Sequence, residues 1–329
     1  MRKWIIISAS LLPMFFIGCT EHSLDSESLS KEDVLINFSA GYTVDYGVDV
    51  VPEEWQALSG VRSRATVAAK EYRLGIVGVA ATEDDAYADC LRGLDGDSFC
   101  YNMYNAEYKV KLDSEGNFTG GVTPVDKVPR SFPIEERSAV AVYSYLPYSR
   151  NIEVGDTSCY VRLDLFSENM LTDYLYTGKI FRAKRGFGKD DCIALDYKHA
   201  FAKVCLSFVA DKYVYIDSLQ MGTGVNGTGL FDLKNGHFYP DSTVGDDVSC
   251  SFDINKVRND FNSGTTKESY TELYIPPTMP LKDMKIVYRL RGGTKTVTRT
   301  LTFDKELNFE RGREYSISVK LNVSSEIYD

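Results

Sequence analysis

Glu314-Tyr315-Ser316-Ile317-Ser318-Val319-Lys320-Leu321-Asn322-Val323 alternates without a break. Tyr315, Ile317, Val319, Leu321 and Val323 fall on one side; Glu314, Ser316, Ser318, Lys320 and Asn322 fall on the other. Side chains leave a β-strand with period two, so the stretch predicts a strand that buries one face and wets the other. The same period recurs upstream. Ile286, Tyr288 and Leu290 lead into Gly292-Gly293, where glycine's tolerance of positive φ suits a tight hairpin turn. The return strand sets Val297, Arg299, Leu301 and Phe303 against Thr296, Thr298, Thr300 and Thr302. Earlier, Val140, Val142 and Ser144 alternate with Ala141, Tyr143 and Tyr145; residues 72–80 read as another strand. The first strand has Val34, Ile36 and Phe38 on one face and Leu35, Asn37 and Ser39 on the other. Long helical periodicity is missing, and short helices are expected only from Pro52 onward and over residues 253–261. Strands at irregular spacing with long loops predict an all-β chain of sandwiches, not a parallel α/β sheet.

The chain has 329 residues, enough for two domains of about 150 each. A basic, glycine-bearing stretch over 182–191 marks the expected boundary, giving units 33–185 and 186–329. With 43% hydrophobic and 26% charged residues, the chain is predicted to fold and not to be disordered. Lys+Arg is 37 against Asp+Glu 47, a net charge of −10, which lacks the basic footprint that nucleic-acid binding needs.

The N-terminus reads as an export signal. Met1-Arg2-Lys3 is positive, residues 4–17 are uncharged and mostly apolar, and Gly18-Cys19 ends the run. The apolar run is too short to span a bilayer, which takes roughly 20 residues. Gly18-Cys19 in this place resembles a bacterial lipobox, which implies cleavage after residue 18 and acylation of Cys19, with Phe16 standing where Leu is usual. Residues 19–32 are polar and acidic and read as a tether. Export permits disulfides among the other six cysteines. Cys90 and Cys100 bracket a turn-rich loop and are the easiest pair to close, while Cys205 reads as a buried thiol within a strand.

Signals for catalysis are weak. Gly222, Gly224 and Gly227 match G-x-G-x-x-G, but that mechanism needs a helix N-terminus at the pyrophosphate, and a short strand is predicted to follow. Asp95-Gly96-Asp97 lacks the later ligands of a calcium loop. No H-E-x-x-H, G-x-S-x-G, P-loop or C-x-x-C occurs, and only three histidines are present. His199 sits at the start of an apolar strand and reads as a packed structural residue. No catalytic, cofactor-binding or metal-binding residue is therefore expected, and the chain does not read as an enzyme. A glycosidase with paired carboxylates ranks last among the readings considered.

Several segments, in order along nearly the whole chain, together resemble the fimbrillin (Mfa-like) family, the lipoprotein pilins of Bacteroidales type V pili. They are the lipobox with its acidic tether; the first strand over 33–40, followed by Arg62-Ser63-Arg64-Ala65; Val142-Tyr143-Ser144-Tyr145-Leu146-Pro147-Tyr148; and Thr172-Asp173-Tyr174-Leu175-Tyr176-Thr177-Gly178. His199-Ala200-Phe201-Ala202-Lys203-Val204, Leu273-Tyr274-Ile275-Pro276-Pro277 and Phe309-Glu310-Arg311-Gly312-Arg313-Glu314-Tyr315 complete the set.

The resemblance implies two transthyretin-like β-sandwich domains in tandem. It also implies a fimbrial subunit (shaft, tip or accessory) held at the outer membrane by lipid on Cys19 until an Arg-specific protease cuts it. Arg64-Ala65 is the preferred cut, with Arg62 second. The cut would release 33–64, including the strand bearing Val34, Ile36 and Phe38. The C-terminal segment with Ile317, Val319, Leu321 and Val323 is the expected donor to a neighbouring subunit's groove. Other pilin subunits are the implied partners, with a role in adhesion and biofilm. The alternative reading is a surface glycan-binding lipoprotein.

Overall fold

The computed structural model describes residues 35–42, 47–48, 70–82, 103–112, 118–132, 138–154, 158–165, 172–210, 214–222, 227–241, 249–252, 267–290 and 294–321. Among them the regular structure is all β, with twenty strands in four sheets. The two short helices expected from sequence lie outside the described residues.

The largest sheet holds β1 (Asn37–Tyr42), β3 (Lys70–Thr82), β4 (Ala106–Leu112), β5 (Phe118–Pro124), β6 (Ser138–Leu146), β9 (Leu175–Tyr176), β10 (Ile180–Ala183) and β11 (Cys192–His199). Its order is β10-β6-β3-β4-β5-β1-β11-β9. β9 also pairs with β6, placing Tyr176 opposite Tyr145 and Leu175 opposite Leu146. That second pairing closes β6-β3-β4-β5-β1-β11-β9 into a ring, with β10 attached outside it. Closure removes two sheet edges, which otherwise carry unpaired backbone donors and acceptors. The expected boundary at 185/186 passes between β10 and β11, which both belong to this sheet.

One hydrophobic cluster fills the ring, including Ile36, Phe38, Leu74, Ile76, Tyr108, Val122, Val140, Val142, Leu195 and Tyr197. The alternate residues of β3 and β6, Val77, Val79, Ala141, Tyr143 and Tyr145, face the other way and join a second cluster. These strands are thus buried on both faces, which their nearly unbroken small and apolar composition allows.

β7 (Ile152–Val154), β8 (Cys159–Asp164), β14 (Thr228–Asp232) and β15 (Phe238–Pro240) form a small sheet whose Val161, Phe231 and Phe238 share this second cluster. β14 begins at Thr228, one residue after Gly227, as the short strand expected there. The remaining strands form two four-stranded sheets: β2 (Gly47–Val48), β12 (Ala202–Ala210), β17 (Lys267–Ile275) and β20 (Arg313–Leu321); and β13 (Val214–Gly222), β16 (Ser249–Phe252), β18 (Leu281–Leu290) and β19 (Thr296–Leu307). Both sheets feed the second cluster, through Leu206, Phe208, Ile275, Ile317 and Val319 from one and Ile216, Leu219, Met284, Ile286 and Tyr288 from the other.

β18 and β19 form the expected antiparallel pair, with Arg289 opposite Thr296. β20 buries Ile317, Val319 and Leu321 as its alternation predicts. Glu314 departs from that alternation: it lies on the polar side of the pattern but is 6% exposed. The cause is Lys203, its registered partner on β12, whose Nζ lies 3.6 Å from Glu314 Oε2 and 2.8 Å from Glu272 Oε1 on β17. A cation shared by two carboxylates lets charge enter an otherwise apolar sheet.

Candidate functional site

β1 is held by neighbours distant in sequence. It runs parallel to β11 from Asn37 opposite Cys192 to Tyr42 opposite Tyr197. On its other side it meets β5 antiparallel, with Phe38 opposite Val122. Just upstream, Leu35 bridges Ser131, and the Ile36 amide donates to the Arg130 carbonyl at 2.9 Å. Ile36 is 5% exposed and Phe38 3%. The Phe38 ring meets the Tyr108 ring edge-on, centroids 5.4 Å apart. Burial of each side chain is worth about 2–3 kcal/mol.

No hairpin ties β1 to either neighbour, and the next strand of the ring begins only at Lys70. Among the described residues no strand of the ring precedes it, so it is the first stave of the ring in chain order. Withdrawing it leaves every other strand-to-strand connection intact. It would open the ring once, between β5 and β11, exposing two facing rows of backbone groups and the apolar floor beneath Ile36 and Phe38.

The second strand of the same segment, β2, lies parallel to the first residues of β20, with Gly47 opposite Arg313 and Val48 opposite Glu314. Residues 35–42 thus pair within the ring, and residues 47–48 pair with the C-terminal strand. β20 also pairs in parallel with β12 from Glu314 to Leu321. Ile317, Val319 and Leu321 fill their own core in this arrangement. Cys19, Val34, Arg62, Arg64, Ala65 and Val323 lie outside the described residues.

The motifs noted in the sequence meet where the ring joins the C-terminal sheets. The Arg311 guanidinium donates to the Tyr176 hydroxyl at 2.6 Å, to the Asn235 carbonyl at 2.7 Å and to the Gly236 carbonyl. Gly236 has φ +69, and a Cβ there would fall 2.1 Å from the Tyr176 ring, so only glycine fits. The Gly312 amide donates to the Phe201 carbonyl at 3.1 Å. Nδ1 of the buried His199 lies 3.0 Å from Asp173 Oδ2, so the residue braces the end of β11 against the β9 segment. These residues tie the ring to the strands that follow it. Arg311, in particular, had no sequence signal beyond its place in a motif, because its partners lie far away along the chain.

Among the described residues, Cys159 and Cys205 are buried and lie outside any disulfide. Burial, with the Asp232 carboxylate nearby, pushes the Cys159 thiol up to about 12, so it carries no thiolate at neutral pH. Cys192, beside β1, is disulfide-bonded. Cys90 and Cys100 lie outside the described residues. Among the described residues no group of three His, Cys, Asp or Glu side chains is placed to hold a metal, and no helix is long and apolar enough to cross a membrane.

The sequence model described as fimbrillin-like matches residues 63–328. No curated relative matches the sequence. Two crystal structures from Bacteroides ovatus, each named as a candidate adhesin, are similar in part. One is 10% identical with TM-score 0.32, covering 75% of this chain and 80% of its own. The other is 7% identical with TM-score 0.32, covering 93% and 97%. Overlap this low leaves the placement of strands to be argued from the chain itself.

Proposed function

Because the chain belongs to the fimbrillin-like family, we propose that it is a structural subunit of a cell-surface fimbria, as shaft, tip or accessory pilin. In this reading it is exported as a lipoprotein, acylated at Cys19 and tethered to the outer membrane. An Arg-specific protease then cuts after Arg64, or after Arg62 as second choice, and releases the first strand. A neighbouring subunit donates a strand to the vacated groove, and the fibre serves adhesion and biofilm growth.

The observation that carries this reading is the placement of β1: a buried first stave with no hairpin to either neighbour. Such a strand can be replaced by one from another chain, with backbone bonds giving affinity and alternate side chains giving specificity. The matched family span begins at residue 63, between the two candidate arginines, which also favours it. The tandem transthyretin-like organisation is part of the proposal. A seven-stranded ring followed by two four-stranded sheets that share one hydrophobic cluster suits it.

The donor is the C-terminal segment. Detaching β20 itself would uncover Ile317, Val319 and Leu321. Donation by the residues beyond Leu321, Val323 among them, leaves that core in place. The test is N-terminal sequencing of the protein sheared from the cell surface with its fimbriae. A start at Ala65 or Ser63 is expected. A blocked end at Cys19 in every fibre-associated copy would refute processing.

A further inference from the structure

A cavity of about 420 Å³ opens on the side of the ring, lined by Tyr104, Asn105, Glu107, Asp126, Arg130 and Tyr148 among others. Its size falls within the range of small-ligand pockets, roughly 300–1,000 Å³. Its walls are tied down. The Tyr148 amide donates to the Arg73 carbonyl at 2.8 Å, and the Val125 amide to the Glu107 carbonyl at 3.0 Å. Asn105 Nδ2 donates to the Ser149 carbonyl at 2.9 Å, and Asn105 Oδ1 accepts from the Tyr145 hydroxyl at 2.7 Å.

Both carboxylates are held by arginines. Arg73 Nη1 lies 2.5 Å from Glu107 Oε1, and Arg130 Nη2 lies 2.8 Å from Asp126 Oδ2. Arg130 is 2% exposed and forms a wall, while Asp126 keeps half its side chain open to solvent. At the rim stands Tyr104, 52% exposed, the most exposed large apolar side chain among the described residues.

We propose that this cavity is a binding site for a neutral saccharide. An exposed tyrosine offers its face to the C–H side of a sugar ring, and a second tyrosine adds a hydroxyl and a wall. Two fixed carboxylates accept from sugar hydroxyls, and because the arginines already orient them, little side-chain entropy is lost on binding. The charge balance selects against acidic sugars: each arginine has its carboxylate, so an anionic ligand has to break a pair to find a cation. An apolar ligand would cover the solvent-facing parts of both carboxylates and offer them no hydrogen bond in place of water.

The site stands apart from strand exchange and is tested on the uncleaved protein. The purified chain is applied to an array of neutral hexose and N-acetylhexosamine oligosaccharides beside sialylated and sulfated counterparts, and the best binder is titrated by calorimetry. Retention of neutral glycans is expected. Tyr104→Ala, which removes the stacking face, and Glu107→Gln, which removes the charged acceptor, should each weaken binding roughly tenfold or more, about 1.4 kcal/mol. Tyr239→Ala, at another exposed tyrosine, should leave binding unchanged, and matched melting curves exclude misfolding. Three results would overturn the assignment: no glycan retained, binding by both pocket variants unchanged from the parent protein, or preference for the acidic sugars. None of them bears on whether the chain polymerises.

Discussion

Replacing Phe38 by Ala probes the first strand most sharply. The ring is 3% exposed, packs edge-on against Tyr108 and sits opposite Val122 in the floor of the groove. Truncating a buried phenylalanine costs about 3–5 kcal/mol, combining lost transfer energy with the cavity left behind. The aromatic pair places Phe38 toward the upper end of that range. For a unit of this size each kcal/mol lowers the melting temperature by roughly 2–4 °C, so a fall of roughly 6–20 °C is expected in the uncleaved protein. Asn37→Ala is the control, because Asn37 is exposed on the opposite face of the same strand. It should stay within about 0.5 kcal/mol of the parent. Thermal and urea unfolding followed by circular dichroism give both numbers. The Phe38 variant should also be cut faster by an Arg-specific protease, because its strand leaves the groove more often. Equal stability and equal cutting rates for the two variants would show that β1 is not part of the core, and the groove argument would fall.

Other consequences can be measured on the same protein. Lys203→Ala leaves the buried Glu314 without its cation and should cost about 2–3 kcal/mol in urea unfolding, less than for a fully buried pair because Lys203 and Glu272 retain some solvent; adding Glu314→Gln should recover at least half. Gly236→Ala forces a methyl into the Tyr176 ring at a left-handed backbone position and should cost at least about 3 kcal/mol, whereas Gly186→Ala, also at positive φ but with open space around it, should cost about 1 kcal/mol. Cys159 favours its neutral thiol in the fold, held up to about 12 against 9.0 in the open chain. Its contribution to stability is complete below pH 9 and is lost as pH rises from 9 toward 12, by about 1.4 kcal/mol per unit. Cys159→Ala should therefore flatten the decline between pH 9 and 10, and the native thiol should resist alkylation at pH 8.

The alternating segments were legible in the sequence because each strand carries its own period. β20, the β18–β19 pair, β6 and β3 all appear where the pattern puts them. What the period does not carry is pairing between segments far apart in the chain. The parallel match of β1 to β11 joins residues 37–42 to 192–197, and no turn between them announces it. Ring closure rests on β9, two residues long and below the length at which alternation can be read. The burial of Glu314 depends on Lys203 from another strand, so a one-strand pattern assigns it to solvent. The strand expected after the glycine-rich match at Gly222 is present as β14. For the candidate site, Ile36 and Phe38 were legible as the buried face of a first strand. The cavity at Tyr104 was not, because its walls come from three separate turns.

The central claim is that the first strand is a replaceable part whose removal licenses assembly. The direct measurement is to treat purified precursor with an Arg-specific protease and follow it by N-terminal sequencing, size-exclusion chromatography and electron microscopy. The account predicts cleavage before Ala65, loss of residues 33–64 from the folded body, and growth of the trimmed subunits into fibres. Trimmed protein that stays folded and monomeric, with its groove empty and no polymer at any concentration, would contradict it.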